Sequence, residues 1–486
     1  MTLLDPEIWT GKCYDGRWFV PRGGERVVIE PATGSELGTV GLANADDVAR
    51  AGARAAEAQR DWARESYEVR ARVLRRAGDL WEEHAADVHG WLVREAGSIL
   101  PKAGVETHGA ANECYEAAAL ASRPYGRLLP SAAPRLSFSR RLPAGVVGVI
   151  SPFNFPLILA IRAVAPALAL GNAVVHKPDP RTAVCGGVVL ARIFEEAGLP
   201  PGLLHVLPGG PAVGEALVAD PHVRVVAFTG STSAGRIVGQ LAAAHLKRAH
   251  LELGGNSAIV VLDDVDVERA ASAGAWASFL HQGQICMTAG RHLVHEGVVD
   301  EYVDRLAAKA AHLPVGNPAT DQVALGPIID EARRDRIHDL VTQSLDAGAR
   351  LAAGGTFEGL FYRPTVLADV TPTMPAYAEE VFGPVAPVVA FSSLDEAAAL
   401  AADSEYGLAL SILTRDVMAG LALAERIPSG IVHINDQTVN DEAHAPFGGV
   451  NASGTGSRLG GAEANVEAFT ETQWVTVRGD IAPYPF

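Results

Sequence analysis

Cys286 stands apart from the other cysteines of this sequence. It lies in FLHQGQICMTAGR, Phe279 to Arg291, with two Gln and two Gly close by. Buried thiols usually keep apolar neighbours, and Gly lets backbone approach a ligand. Two readings stand, an inert buried thiol, the commoner state of a free Cys, and a nucleophile. Other polar residues close apolar runs, as at ligand-binding strand ends in open α/β sheets. Asn154, in SPFNFP, is either an amide donor for a developing oxyanion or a turn former. Lys177, in HKP, meets an anionic ligand or snorkels to solvent. Thr229-Gly230-Ser231-Thr232 opens a helix at about Ala234, either as a phosphate site or as an ordinary N-cap. Glu252, between apolar residues and a Gly pair, is a general base with a raised pKa or a salt-bridged acid.

The elements that must position these residues follow from composition and texture. A chain of 486 residues implies two or three domains. The net charge of −17, with no long basic run, excludes a nucleic-acid partner. The start, MTLLDPEIW, has no signal-peptide character, and no run of about 18 apolar residues spans a membrane. Four scattered cysteines without a CxxC pair suit a reducing cytoplasm and argue against a disulfide framework or a zinc site, so no metal is expected.

Residues 44–122 read as helices, with Asn44 or Asp46 as N-cap. From 140 onward Val-rich runs alternate with helical stretches: GVVGVIS, NAVVHK, LLHVL, VRVVAFT, then SAIVVLDD, RHLVHE, PVVAFSS, LALSILT and GIVHIND. The fold class is α/β, with two doubly wound parallel domains hinged near 251–256. Residues 123–141 and the tail from 472 to 486 fit neither series and resemble strands of a separate sheet. The common GxGxxG fingerprint is absent.

Seven motifs occur in order: PFNFP, KP, FTGST, ELGGN, GQIC, EEVFGP (Glu379–Pro384) and PFGG (Pro446–Gly449). Together they resemble the aldehyde dehydrogenase superfamily over nearly the whole chain. HINDQTVNDEAHAPFGG and KPDPRTAVCGG are similar to its benzaldehyde, vanillin and salicylaldehyde branch. The resemblance implies a dinucleotide-binding domain (1–122 and 142–251), a catalytic domain (252–433) and an oligomerisation arm (123–141 and 465–486) of a cytoplasmic homodimer or homotetramer. It implies Cys286 as nucleophile, Asn154 as oxyanion donor and Glu252 as base. Lys177, Gly230, Ser231, Glu380 and Phe382 would hold NAD, or NADP. Arg162, Leu280 and Phe447 would contact the aldehyde.

Three departures from the family pattern matter. Pro180 stands where many NAD-preferring members carry a Glu, so NADP is expected to be tolerated. Arg458 stands where many carry a Glu assigned to a proton relay, and a guanidinium cannot accept a proton. Arg162 lacks the second Arg of the succinate semialdehyde clamp, Leu280 occupying that place; a lone Arg suits a ring with one polar substituent, or else pairs with a core acid. The polar run Asn435 to Asp441 either binds a ring hydroxyl or makes its own turns. The expected activity is oxidation of an aromatic aldehyde to its acid. The alternatives are a semialdehyde dehydrogenase and a catalytically idle relative, the latter disfavoured by retention of Cys286, Glu252, Asn154 and Glu380 together.

Overall fold

A computed structural model describes residues 3–123 and 126–486. Its first seven-stranded sheet runs in the order Arg248–Glu252, Val223–Thr229, Val146–Ile150, Ala173–Lys177, Leu204–Val206, Cys13–Tyr14, Trp18–Phe19. The first five strands are parallel, and the last two add antiparallel. The Val-rich runs form the sheet's centre because both faces are covered, so each position is better filled by a β-branched apolar residue. Arg248–Glu252 is a strand where the sequence suggests only a hinge. It lies at the sheet edge with its first two residues half-buried, so its composition carries no apolar run.

The second sheet also has seven strands, ordered Arg350–Ala353, Thr365–Ala368, Val385–Phe391, Ala289–His295, Ser257–Val261, Ala409–Leu413, Ile431–Ile434. All pairings are parallel except that of Arg350–Ala353. Along Ser257–Val261 neighbouring side chains enter opposite cores, Val260 one and Ile259 and Val261 the other. The period of two of a strand places them so.

Helices cover the first sheet. Ala45–Trp62 starts at Asn44, whose side chain and that of Asp47 form a capping box. Tyr67–Glu83, Ala85–Glu95 and Leu100–Leu120 follow. Leu100–Leu120 turns Lys102, Glu106 and Glu113 inward, three charged groups on a face otherwise of Ala, Thr, Cys and Leu.

The segments that fit neither series form a third sheet, Thr470–Val477, Leu136–Pro143 and Gly126–Leu128, all antiparallel. The last strand begins at Thr470, after the helix Ala462–Phe469. Pro124 and Tyr125 of the first arm segment lie outside the described residues. Among the described residues, no helix is long and apolar enough to cross a membrane.

Candidate active site

Helix Val267–Phe279 ends at a turn whose backbone is unusual. His281, Gln282 and Gly283 follow one another in the left-handed region, at φ 49°, 56° and 66°. That conformation is costly for a residue with a Cβ and persists only where surroundings enforce it. Here Gln282 Nε2 donates to the carbonyls of Gly97 (3.1 Å) and Pro327 (2.8 Å), and the His281 ring stands edge-on to Phe155. At Gly283 a Cβ would lie 2.1 Å from the Gly383 carbonyl oxygen, so Gly alone fits. The turn presents Cys286 partly exposed, whereas Cys13, Cys114 and Cys185 are buried.

Asn154 follows the strand Val146–Ile150 and is buried. Its Nδ2 donates to the carbonyl of Gln284 at 2.8 Å, two residues before Cys286. The amide thus spends one N–H on the thiol's own loop and keeps a second. Its backbone carbonyl accepts from Lys102 Nζ at 2.9 Å, and Lys102 pairs with Glu106. These two residues went unnoticed in the sequence. The available signal was charge at helical spacing on an apolar face, which a structured helix tolerates only with partners.

Glu252 closes the strand Arg248–Glu252. It is 4% exposed, and among the described residues neither carboxylate oxygen has a side-chain hydrogen-bond partner. Burial therefore pushes its pKa well above the usual carboxylate range, against the pull first of Arg458 and then of Arg162. A Cβ placed on Gly448 would meet Glu252 Oε1 at 2.7 Å and Arg458 Cδ at 2.9 Å, so acid and guanidinium shaft share one patch of bare backbone. Arg458 Nη1 is held by the carbonyls of Gly449 and Ser457. The Cys286 thiol is pushed up to about 12, by burial first and then by the charges of Glu380, Glu252 and Asp441. Both carboxylates thus act electrostatically on the sulfur.

One cleft is lined by Asn154, Lys177, Gly230, Ser231, Glu380, Phe382 and Cys286. The residues expected to hold a dinucleotide therefore face one another across a single groove. Ser231 caps helix Thr232–Ala244 through Ala234 N, so that helix begins two residues before the expected start. Its free N–H groups suit a phosphate. Gly255 N donates to Glu380 Oε1 at 3.0 Å, and burial raises that carboxyl to about 7. A Cβ on Gly254 would strike Glu380 Oε2 at 2.4 Å, and one on Gly230 the Phe228 ring at 2.7 Å. The floor is bare backbone where a ligand must come close. Phe382 is itself left-handed (φ 52°) and meets Phe153 edge-on. Beside Lys177, Asp179 is clasped by Arg181, which also reaches Asp330. The donor set, a capped helix start, a lysine and a ribose-sized acid, fits a dinucleotide.

Glu252, Arg162, Leu280 and Phe447 are not part of that lining. Cys286, which lines the cleft, also joins Phe447, Leu280, Phe155, Ile285 and Met287 in an apolar cluster. Arg162 is buried, with Nε on Glu113 (2.8 Å) and Nη2 on Glu113 (2.8 Å) and Asp441 (2.7 Å). This is the pairing with core acids, not an open carboxylate clamp. Among the described residues its Nη1 has no hydrogen-bond partner, and its guanidinium carbon lies 5.0 Å from the Phe447 ring centre. Of the polar run, Asn435 accepts from Thr414 N, and Gln437 closes on Val439. Those residues make their own turns, and Asp441 is taken by Arg162.

The sequence pattern of the aldehyde dehydrogenase family matches residues 18–475. A vanillin dehydrogenase from Amycolatopsis sp. is 71% identical over 486 residues, all of both chains. A benzaldehyde dehydrogenase [NAD(+)] from Pseudomonas putida is 50% identical, over 99% of this chain and 98% of its own. The crystal structure of a salicylaldehyde dehydrogenase from Pseudomonas putida G7, complexed with salicylaldehyde, is similar at TM-score 0.94 and 35% identity, over 98% of this chain and 99% of that one.

Proposed function

The chain belongs to the aldehyde dehydrogenase family, and from that premise we propose that it oxidises an aromatic aldehyde of the benzaldehyde, vanillin or hydroxybenzaldehyde type with NAD. One observation carries the substrate class. Cys286 is the residue shared by the cofactor cleft and the apolar cluster of Phe447, Leu280 and Phe155. A ring seated against that cluster would offer its aldehyde carbon to the sulfur while the cofactor occupies the other side. The names of the relatives above support the same class.

The residues divide the reaction as follows. Cys286 loses its proton and adds to the carbonyl carbon. The oxyanion takes hydrogen bonds from the free N–H of the Asn154 amide and the backbone N–H of Cys286, two preorganised donors in a buried site. Lys177, Gly230, Ser231, Glu380 and Phe382 would hold NAD, which when bound would supply the oxidation by taking up a hydride. A thioester on Cys286 remains. Glu252 takes a proton from water, and the hydroxide formed releases the carboxylic acid. Around Lys177 the Asp179 carboxylate is taken up by Arg181, so Lys177 is the cation left for a 2′-phosphate, and NADP is accepted too.

A semialdehyde substrate is less well served. Arg162 is held by two carboxylates, Glu113 and Asp441, which would repel a third. A panel of benzaldehyde, vanillin, a hydroxybenzaldehyde, succinate semialdehyde and an aliphatic aldehyde, each followed by NADH or NADPH absorbance, tests the proposal. Aryl aldehydes are expected to lead in kcat/KM. Succinate semialdehyde leading would overturn the substrate class, and an NAD preference above about a thousandfold, roughly 4 kcal/mol, would overturn NADP tolerance. The third sheet serves assembly with a second copy, in the reducing cytoplasm that four free thiols suit.

A further inference from the structure

Lys102 and Glu106 lie one turn apart on helix Leu100–Leu120 and form an ion pair with side chains 1% and 0% exposed. Both reach the loop that carries Asn154. Lys102 Nζ donates to the Asn154 carbonyl at 2.9 Å, and Glu106 Oε1 accepts from Leu157 N at 2.8 Å. The ammonium also rests 4.2 Å from the Phe155 ring centre. The loop is thus pinned at 154 and 157, on either side of Phe155 and Pro156. From Asn154 the chain of contacts continues, since Nδ2 donates to the Gln284 carbonyl at 2.8 Å. Gln284 is fixed in turn, its Oε1 accepting from Ile329 N at 3.1 Å. A path of hydrogen bonds runs from a helix of one domain, through the oxyanion amide, to the loop of the nucleophile in the other.

A buried ion pair is a poor device for stability alone. Desolvation of both charges commonly offsets their attraction, and apolar replacements often serve as well. What an apolar pair cannot do is fix two backbone groups of a polar loop. We propose that the buried Lys102–Glu106 pair is a positioning device for Asn154, aiming its free N–H at the oxyanion by clamping the loop from 154 to 157. The inference rests on the dehydrogenase reading above and adds two residues to it.

The test is a set of variants followed by the pre-steady-state burst of NADH with benzaldehyde. Lys102→Met/Glu106→Gln removes both charges together and leaves no buried orphan charge. Its burst is expected to slow by about tenfold to a hundredfold, as misplacement of a reacting group does. NADH binding, read by fluorescence titration, and the melting temperature should stay near the parent's. Asn154→Ala alone should slow the burst by about a hundredfold or more. The triple variant should be no slower than Asn154→Ala, since a positioning residue has nothing to position once the amide is gone. An unaltered burst in the double variant, or a triple variant showing the product of both losses, would overturn the proposal. If the double variant does not fold, Lys102→Arg keeps the charge but displaces the donor. A slowed burst that Asn154→Ala masks then supports the device, and an unslowed one overturns it. A normal burst in Asn154→Ala itself would instead sink the oxyanion assignment, and the device with it.

Discussion

At neutral pH the groups around the sulfur are held toward their uncharged forms. Burial raises Glu252 well above the usual carboxylate range, Glu380 to about 7 and Cys286 to about 12. A base acts only when deprotonated, so a raised pKa means that the active fraction grows as pH rises through it. The steady-state rate is therefore expected to climb from neutral into alkaline pH, which a pH profile of kcat checks. Arg458 is the largest charge holding Glu252 down. Arg458→Gln should move the acid limb of that profile to more alkaline pH, while the NADH burst at high pH stays near the parent's. A profile lowered evenly at every pH would show that the guanidinium only braces the loop. Glu252→Gln should leave a burst of one NADH per site and cut steady turnover by about a hundredfold or more. In the sequence Cys286, Asn154 and Glu252 each admit a structural reading as well, and it is the order of seven motifs that singles them out as candidates. Arg162 was only half legible, since its two acid partners lie far along the chain, at 113 and 441.

Between residue and molecule, turns do much of the placing. The left-handed run His281-Gln282-Gly283 aims Cys286, and its tightest point is Gly283 against the Gly383 carbonyl. Gly283→Ala would force that carbonyl, and with it the Glu380–Phe382 segment, to move. A drop in kcat/KM of about tenfold or more is expected, with a melting temperature lower by a few degrees, measured by steady-state assay and thermal denaturation. Most central strands were legible because burial on both faces favours uninterrupted Val and Ile, whereas the four-residue Thr365–Ala368 is too short to form such a run. Ile431–Ile434 was legible at an edge too, but Arg248–Glu252 and Arg350–Ala353 were not, since each carries an exposed or half-buried side and no Val-rich run. The inward charges of helix Leu100–Leu120 were hidden for a different reason. Periodicity finds the buried face of a helix, but only three-dimensional neighbours tell whether a Lys on that face has a partner.

At the scale of the whole molecule, the third sheet stands out as unfinished. Thr470–Val477 is an eight-residue strand at its edge. Long edge strands present unpaired N–H and C=O groups and are usually covered. The sheet also exposes apolar side chains: Trp474, Leu128, and the directly opposed pair Leu136 and Val477, 52% and 49% exposed. Apolar cross-strand pairs in water gain little unless another surface closes over them. A second copy supplying that surface accounts for both features, and size-exclusion chromatography with light scattering should give a multiple of the 50.9 kDa chain mass. Leu136→Lys/Val477→Glu isolates the cause. Opposite charges facing each other keep the sheet's own pairing, yet they cannot be buried against an apolar partner without a desolvation cost. The variant should shift toward the 50.9 kDa species and keep its NADH burst, because Cys286, Asn154 and Glu252 all belong to one chain. A parent protein that already elutes as a monomer would remove the second copy as occupant. An assembly unmoved by the two charges would place the interface on another face.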